Sequence, residues 1–595
     1  MPATAIPTTL CAAFQQTAAA HPDKIALRTP DNGTTITWAE YAERVRKVAA
    51  GLAELGVKRG DTVALMLTNR PEFHVADTGA LHVGATPFSI YNTLAPEQIN
   101  FLFGNAGNSV VITESQFLDT LREANVDGQI KHFVCVDGDG DRADGVMTLS
   151  ELEAHGDPSY GFEAGWQAVE SNDVLTLIYT SGTTGPPKGV ELTHANLLAE
   201  MDALEGTYNL SHDDSVISYL PDAHIANRWG AHYCNLRYGI QIVTVGDPRD
   251  LVASLPLVHP TYFGAVPAVW YKVKAGSEAA LAAEPDQRKR KIGTWAISTG
   301  IDVARRRSDQ KPIPLGLKLQ HALADRLVLS KLRTRMGLDR VKVAATGASA
   351  IAPDALAFML GLGIPVVEVW GMSETSAVVT MNPPDAIRIG TVGKVVPGGT
   401  EISLADDGEL LVRGPLVMRG YRNDPQRTAE AIDADGWMHT GDIATIDDEG
   451  YVRIVDRKKE LIINAAGKNM SPQNIEGAVK VTCPLALSIV AIGDDRPYVT
   501  ALLTLDPDAC AIYAEKAGIA DASPKALSAD PSVQAVIQAG IDEANSKLAR
   551  VEQIKRFAIL PDVWMPGGDE LTPTMKLKRK VIAEKYATEI ESLYG

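Results

Sequence analysis

Trp38, Tyr41, Val45, Val48, Leu52 and Leu55 recur at steps of three and four, the spacing that lines apolar side chains along one stripe of an α-helix. Thr37 and Glu40 stand at the two ends of a capping box, in which each side chain satisfies a free backbone donor of the other. Gly56 supplies the stop. The pattern then changes period. Val63–Leu67 reads as a short strand, a helical stretch begins near Pro71, and another strand falls near Thr86–Tyr91. Val174–Tyr179, Val341–Thr346 and Ile364–Trp370 are short apolar runs of the kind found in strands covered on both faces. Helices and strands that alternate in this way predict an α/β fold with largely parallel sheets.

From about Thr400 the texture is different. Gly408–Arg413 and Gly450–Val455 are strands bounded by Asp/Gly turns, so a β-rich subdomain is expected over about 400–456. The charged run Asp456-Arg457-Lys458-Lys459 breaks the pattern. It divides the chain into a large N-terminal domain, 1–456, a hinge at 457–459, and a small α+β domain, 460–595, with strands at Ile489–Ile492 and Val499–Leu505. Residues 518–535 read as helices and loops, and no internal repeat is evident.

Length agrees with this division, because a single core stops growing at about 250–300 residues and the chain has 595. The 56 basic and 74 acidic residues leave a net charge of −18. That excludes nucleic acid as a general partner, and an anionic substrate must be drawn in by local cations. Five scattered cysteines without a CxxC pair point to reduced thiols in a cytoplasmic chain rather than to disulfides or zinc. No secretory signal is legible, and no apolar run approaches the ~20 residues of a membrane span. Membrane contact, if it occurs, is expected to be peripheral.

The most informative segment is 179–190, Tyr-Thr-Ser-Gly-Thr-Thr-Gly-Pro-Pro-Lys-Gly-Val. A buried strand runs into a loop of hydroxyls and glycines that ends in one lysine. Such a loop suits a polyphosphate: glycines admit backbone N–H groups close to the oxygens, hydroxyls donate, and lysine adds a point charge. The GxxxxGK[ST] spacing of a Walker A loop is missing.

This string resembles the phosphate-binding core of the adenylate-forming superfamily, which includes acyl-CoA synthetases, non-ribosomal adenylation domains and luciferases. Further segments match in order. The resemblance implies that Thr180, Ser181, Gly182, Thr183, Thr184, Gly185 and Lys188 hold the phosphates of ATP, and that Gly347, Ala348 and Ser349 wrap the adenine. In Trp370-Gly371-Met372-Ser373-Glu374-Thr375 it implies an aromatic stacked on adenine and a glutamate that, with Thr183, binds Mg²⁺. Asp442 and Arg457 would take the ribose hydroxyls. Gly467 and Lys468 would line the coenzyme A tunnel, and Lys459 would lie at the pivot of a mobile C-terminal domain. Lys576 would be the catalytic lysine, with His224 beside the acyl-phosphate. These residue types suit the chemistry: attack of a carboxylate on an α-phosphate needs charge neutralisation more than acid–base catalysis.

Three positions depart from the family pattern. Trp370 replaces a tyrosine, with loss of a hydroxyl contact; Met575 replaces a glycine; and Asp222 puts a carboxylate where an apolar residue is usual, with Arg228 as its candidate partner. Residues 467–476, the ending at 571–579 and the extended stretch 506–555 are most similar to bacterial long-chain fatty acyl-CoA synthetases. The function implied is fatty acid–CoA ligation: acyl-AMP formation from a fatty acid and ATP with Mg²⁺, then thioester formation with coenzyme A. A ligase that loads a carrier protein and a non-catalytic nucleotide-binding relative are the alternatives.

Overall fold

The computed structural model describes residues 6–137, 145–180, 186–465, 468–572 and 575–595, the side chain of Asn469 excepted. The first patterned helix runs Trp38–Glu54. Thr37 Oγ1 accepts the Glu40 N–H at 3.3 Å, and a Glu40 carboxylate oxygen accepts the Thr37 N–H at 2.8 Å. Trp38, Tyr41, Val45, Val48 and Leu52 are buried, whereas Leu55, the C-cap, is only half-buried. Gly56 takes φ 87°, a conformation that costs glycine nothing.

Two large sheets make the body, of eight and nine strands among the described residues. In the first, Thr62–Met66 lies parallel to Thr86–Ser89 on one side and to Val110–Thr113 on the other. Val174–Thr180 joins parallel to Thr86–Ser89, and Lys188–Thr193 returns antiparallel to it. The glycine- and hydroxyl-rich loop therefore connects two paired strands. In the second sheet, Tyr262–Ala265, Val343–Thr346 and Val366–Trp370 are parallel neighbours. The last strand begins after Pro365, which has no N–H to give a ladder. The segments 347–349 and 371–375 both follow the C-terminal ends of these parallel strands, where open α/β sheets bind ligands.

Glu401–Leu404, Glu409–Arg413, Met438–Ile446 and Val452–Arg457 form an antiparallel sheet of their own. From Ile462 onward separate apolar cores form around a sheet of Ala486–Ile492, Val499–Leu505 and Ile554–Ile559. Residues 518–535 hold the helix Pro524–Ser528 and the start of Pro531–Lys547. All five cysteines are buried and unpaired. Among the described residues no helix is long and apolar enough to cross a membrane.

Candidate functional site

Trp370 closes a strand of the second large sheet, and Asp442 sits on the small antiparallel sheet. The indole N–H donates to an Asp442 carboxylate oxygen at 2.8 Å. Antiparallel register sets Arg457 opposite Asp442, and Arg457 Nε lies 3.2 Å from the other oxygen. Position 370 lacks the tyrosine hydroxyl, as expected, and the indole nitrogen supplies a donor to Asp442. Trp370 is 9% exposed, so its ring is held at the edge by Asp442 and over most of its surface by packing. Burial raises the Asp442 pKa, and the Arg457 charge and the indole donor act against that rise.

Gly371 follows because nothing larger fits: a Cβ there would lie 1.9 Å from the Ala377 carbonyl oxygen. Glu374 is buried in the next turn, and the Tyr421 hydroxyl donates to Glu374 Oε1 at 2.9 Å. Lys188 Nζ stands 4.7 Å from the centre of the Tyr421 ring, a cation–π contact that sets the lysine near the carboxylate. Met372, Ser373 and Thr375 shape the turn itself, with the Met372 N–H donating to Thr375 Oγ1 at 3.1 Å. Beyond it, Ser376 and Ala377 take φ 63° and 125°, strained values for residues with a Cβ. Two contacts hold the strain. Ser376 Oγ donates to the Leu416 carbonyl at 2.7 Å, and Glu200 Oε1 accepts the Val378 N–H at 2.9 Å. Burial raises the Glu200 pKa well above its ordinary value, and the Val378 N–H acts against that rise. Tyr421 and Glu200 went unread in the sequence. Their partners are 47 and 178 residues away, so local pattern carries no sign of them.

His224 caps the short turn Ile225–Asn227, its Nδ1 accepting the Ala226 N–H at 3.1 Å. Nδ1 is therefore unprotonated and Nε2 carries the hydrogen. Burial, then the Lys576 charge, lowers the His224 pKa to about 4. Asp222 is buried beside it, but Arg228 is not its side-chain partner. Arg228 Nε donates to the Asp222 backbone carbonyl at 3.0 Å, while its guanidinium pairs with Asp77 at 2.7 Å. The Asp222 carboxyl takes amide donors instead, from Asn227 at 2.6 Å and Asn69 at 3.4 Å. Arg228 is spent because Asp77 is equally buried and offers a full charge, completed by His232 at 2.9 Å. Deprived of a counter-ion in contact, Asp222 has its pKa pushed up by burial to about 7.

Lys576 arrives from the C-terminal core on a tight turn. The Thr572 N–H donates to the Lys576 carbonyl at 2.8 Å, and the Lys576 N–H donates to Thr572 Oγ1 at 3.0 Å. Desolvation, then the Arg457 charge, lowers the Lys576 pKa, while Asp442 and Glu374 oppose that shift. The same charge is felt by His224. One cation from the far end of the chain thus sits in the field of Arg457, Asp442, Glu374 and His224.

Gly347, Ala348 and Ser349 follow the Val343–Thr346 strand, with Ala348 at φ 68° and both Ala348 and Ser349 exposed. Lys459 is exposed in the turn after Arg457. Lys468 lies in a separate hairpin, where its N–H donates to Asn464 Oδ1 at 2.9 Å. Ser181, Gly182, Thr183, Thr184, Gly185 and Gly467 lie outside the described residues. Among the described residues no three His, Cys, Asp or Glu side chains gather as a metal cage. A single buried carboxylate, Glu374, fits Mg²⁺, which keeps waters and shares itself with substrate phosphates.

The aromatic–aspartate–arginine cluster lies where the second large sheet meets the small antiparallel sheet, and Lys576 comes from the separate C-terminal core. Residues 14–422 match the family model described as AMP-binding enzyme, and residues 459–595 match that of the AMP-binding enzyme C-terminal domain. The chain belongs to the AMP-binding enzyme family. It is 54% identical over 456 residues to the putative fatty-acid–CoA ligase fadD11 of Mycobacterium tuberculosis, covering 76% of this chain and 79% of that one. It is 36% identical to the long-chain-fatty-acid–CoA ligase FadD15 of the same species, covering 94% and 92%. Its fold is that of the anthranilate CoA ligase AuaEII, solved with anthranoyl-AMP, at a TM-score of 0.74 and 18% identity over the whole of both chains.

Proposed function

We propose that this chain is a long-chain fatty acid–CoA ligase that forms AMP. The observation that carries the reading is the Trp370–Asp442–Arg457 cluster, joined at 2.8 and 3.2 Å, whose Arg457 and Asp442 charges act on Lys576 from the C-terminal core. The names of the relatives support the acid and the thiol. In the first half-reaction a carboxylate oxygen of the fatty acid attacks the α-phosphorus of ATP. An O–P bond forms, the bond to the β-phosphate oxygen breaks, and pyrophosphate leaves. Both reactants are anions, so the Lys576 cation lowers their repulsion as they meet. Lys188 holds charge on the phosphate side, Asp442 and Arg457 orient the ribose, and Glu374 would hold Mg²⁺, which when bound would supply further charge neutralisation. His224, neutral and with its hydrogen on Nε2, can donate to an acyl-phosphate oxygen. In the second half-reaction the coenzyme A sulfur attacks the acyl carbon, AMP leaves, and the thiol proton is released.

The reading includes a cytoplasmic location and a C-terminal domain, about 460–595, that turns near Lys459 between the half-reactions. Its test is product analysis with palmitate, ATP, Mg²⁺ and coenzyme A. Palmitoyl-CoA, AMP and pyrophosphate in equal amounts are expected; thioester that forms only on a carrier protein would overturn the choice of acceptor.

A further inference from the structure

The chain is acidic as a whole, but one part of it is not. Residues 286–336 carry 13 Lys and Arg against 4 Asp, a net +9 within a chain of −18. They form the helical excursion that leaves the second large sheet after Tyr262–Ala265 and returns at Val343–Thr346. Its second arm runs through Leu315–Ala324, Asp325–Leu329 and Ser330–Arg335. Ala324 and Leu329 are buried in the core, with Val328 and Leu332 packed against it. That settles the inward face. The outward side carries Leu315, Leu319, Leu323 and Leu327, which are 74%, 65%, 51% and 44% exposed. Steps of four on a helix advance about 40° each, so the four leucines make one oblique stripe rather than a scatter. Single exposed leucines are ordinary, but an ordered apolar stripe is a contact surface.

The charge around the stripe says what it contacts. Arg305, Arg306, Lys311 and Arg333 are paired with carboxylates. Arg288, Lys289, Arg290, Lys291, Lys318 and Arg326 have no carboxylate within ion-pair range among the described residues. Between the two arms an open groove of about 670 Å³ has Trp295 and Leu317 on its walls and Arg290 and Lys291 among its lining. Exposed leucines, an indole and uncompensated cations on one helical hairpin are the elements of an interfacial surface, in which apolar side chains enter the acyl boundary while cations meet anionic headgroups. Nucleic acid would use the cations but leave the leucines in water.

We propose that the 286–336 hairpin docks this enzyme on anionic lipid bilayers, with the leucine stripe entering the bilayer and the Arg288–Lys291 cluster on the headgroup phosphates. The proposal rests on the long-chain ligase reading, since a bilayer is where a long-chain acid dissolves. It adds a surface to which the enzyme is recruited, made of residues other than those that hold ATP.

The test is sedimentation of the full chain with vesicles of phosphatidylcholine alone and of phosphatidylcholine with phosphatidylglycerol. It uses wild type, Leu319→Glu with Leu323→Glu, and Arg288→Gln with Lys289→Gln, Arg290→Gln and Lys291→Gln. Binding that requires phosphatidylglycerol, weakens with salt, and falls about tenfold or more in both variants is expected. Thioester formation from octanoate in solution should be unchanged in both, which shows that they fold and separates this proposal from the ligase reading. Wild-type binding that is absent, or that both variants retain, overturns the proposal. So does a wild-type dimer in light scattering that Leu319→Glu with Leu323→Glu dissociates, since the stripe would then belong to a second copy. Absence of thioester from palmitate presented to the wild type in detergent micelles would contradict the ligase reading, whereas the vesicle comparison alone decides the docking surface.

Discussion

Trp370 joins two sheets through one hydrogen bond, from its indole nitrogen to Asp442. Trp370→Phe keeps an aromatic ring and removes the donor. A hydrogen bond to a charged acceptor contributes about 1.5–3 kcal/mol, so the KM for ATP should rise about tenfold or more while the protein stays folded; steady-state kinetics at saturating fatty acid measures it. Asp222 offers a second test at this scale. Its pKa is about 7 in the fold against an ordinary 3.8, so the folded state keeps a proton that the unfolded chain releases above pH ~4. The sign follows: stability is greatest on the acid side, falls as pH rises from about 4 to 7, and is flat above. Over that span the linkage is on the order of 4 kcal/mol. Asp222→Asn removes the slope, so its melting temperature relative to wild type should climb between pH 5 and pH 8, as read by calorimetry. Equal differences at both pH values would show that Asp222 ionises freely. The aspartate itself was legible as an anomaly in the sequence. Its partners were not, because Arg228 was the near cation in sequence while Asp77, 151 residues away, had already claimed it in space.

At the scale of elements, the sequence was readable wherever one turn or one helix settles its own fate. The Trp38–Glu54 helix is such a case: cap, stripe and stop all lie within twenty residues. Strand ends were less legible, as at Pro365, where the missing donor delays the start of pairing. The turn at Ser376–Ala377 was invisible, because its strain is held by Glu200 and Leu416 from distant segments. The leucine stripe of the 315–329 helix was invisible too, since the period of an exposed apolar stripe is the same as that of a buried one. Met575 tests the reasoning about turns. It occupies φ 64°, where a Cβ costs about 1–2 kcal/mol. Met575→Gly should raise the stability of the C-terminal core by about 1 kcal/mol in denaturant unfolding and keep pyrophosphate exchange. A loss of stability would mean that the Met575 side chain makes a contact worth more than the strain.

For the whole molecule, what matters is that one site is assembled from two cores. The charges of Arg457, Asp442 and Glu374 act on Lys576, whereas Lys468 belongs to a separate hairpin of Ile462–Ile463 and Asn469–Met470. A turn near Lys459 would exchange them, since hinge residues absorb the dihedral change between such states. Lys576→Ala should abolish pyrophosphate exchange yet still convert supplied palmitoyl-AMP to palmitoyl-CoA. Lys459→Pro, with φ fixed near −65°, should form adenylate and lag in thioester. Loss of the same half-reaction in both variants would refute a two-position mechanism.

The central claim is that the fatty acid carboxylate attacks the α-phosphorus of ATP, and the isotope in its oxygens tests it most directly. With [¹⁸O₂]palmitate, ATP, Mg²⁺ and coenzyme A, mass spectrometry of the nucleotide product should find AMP carrying one ¹⁸O atom, released with unlabelled pyrophosphate. ADP with the label in inorganic phosphate would contradict the account, because the acid would then have been activated at the γ-phosphorus.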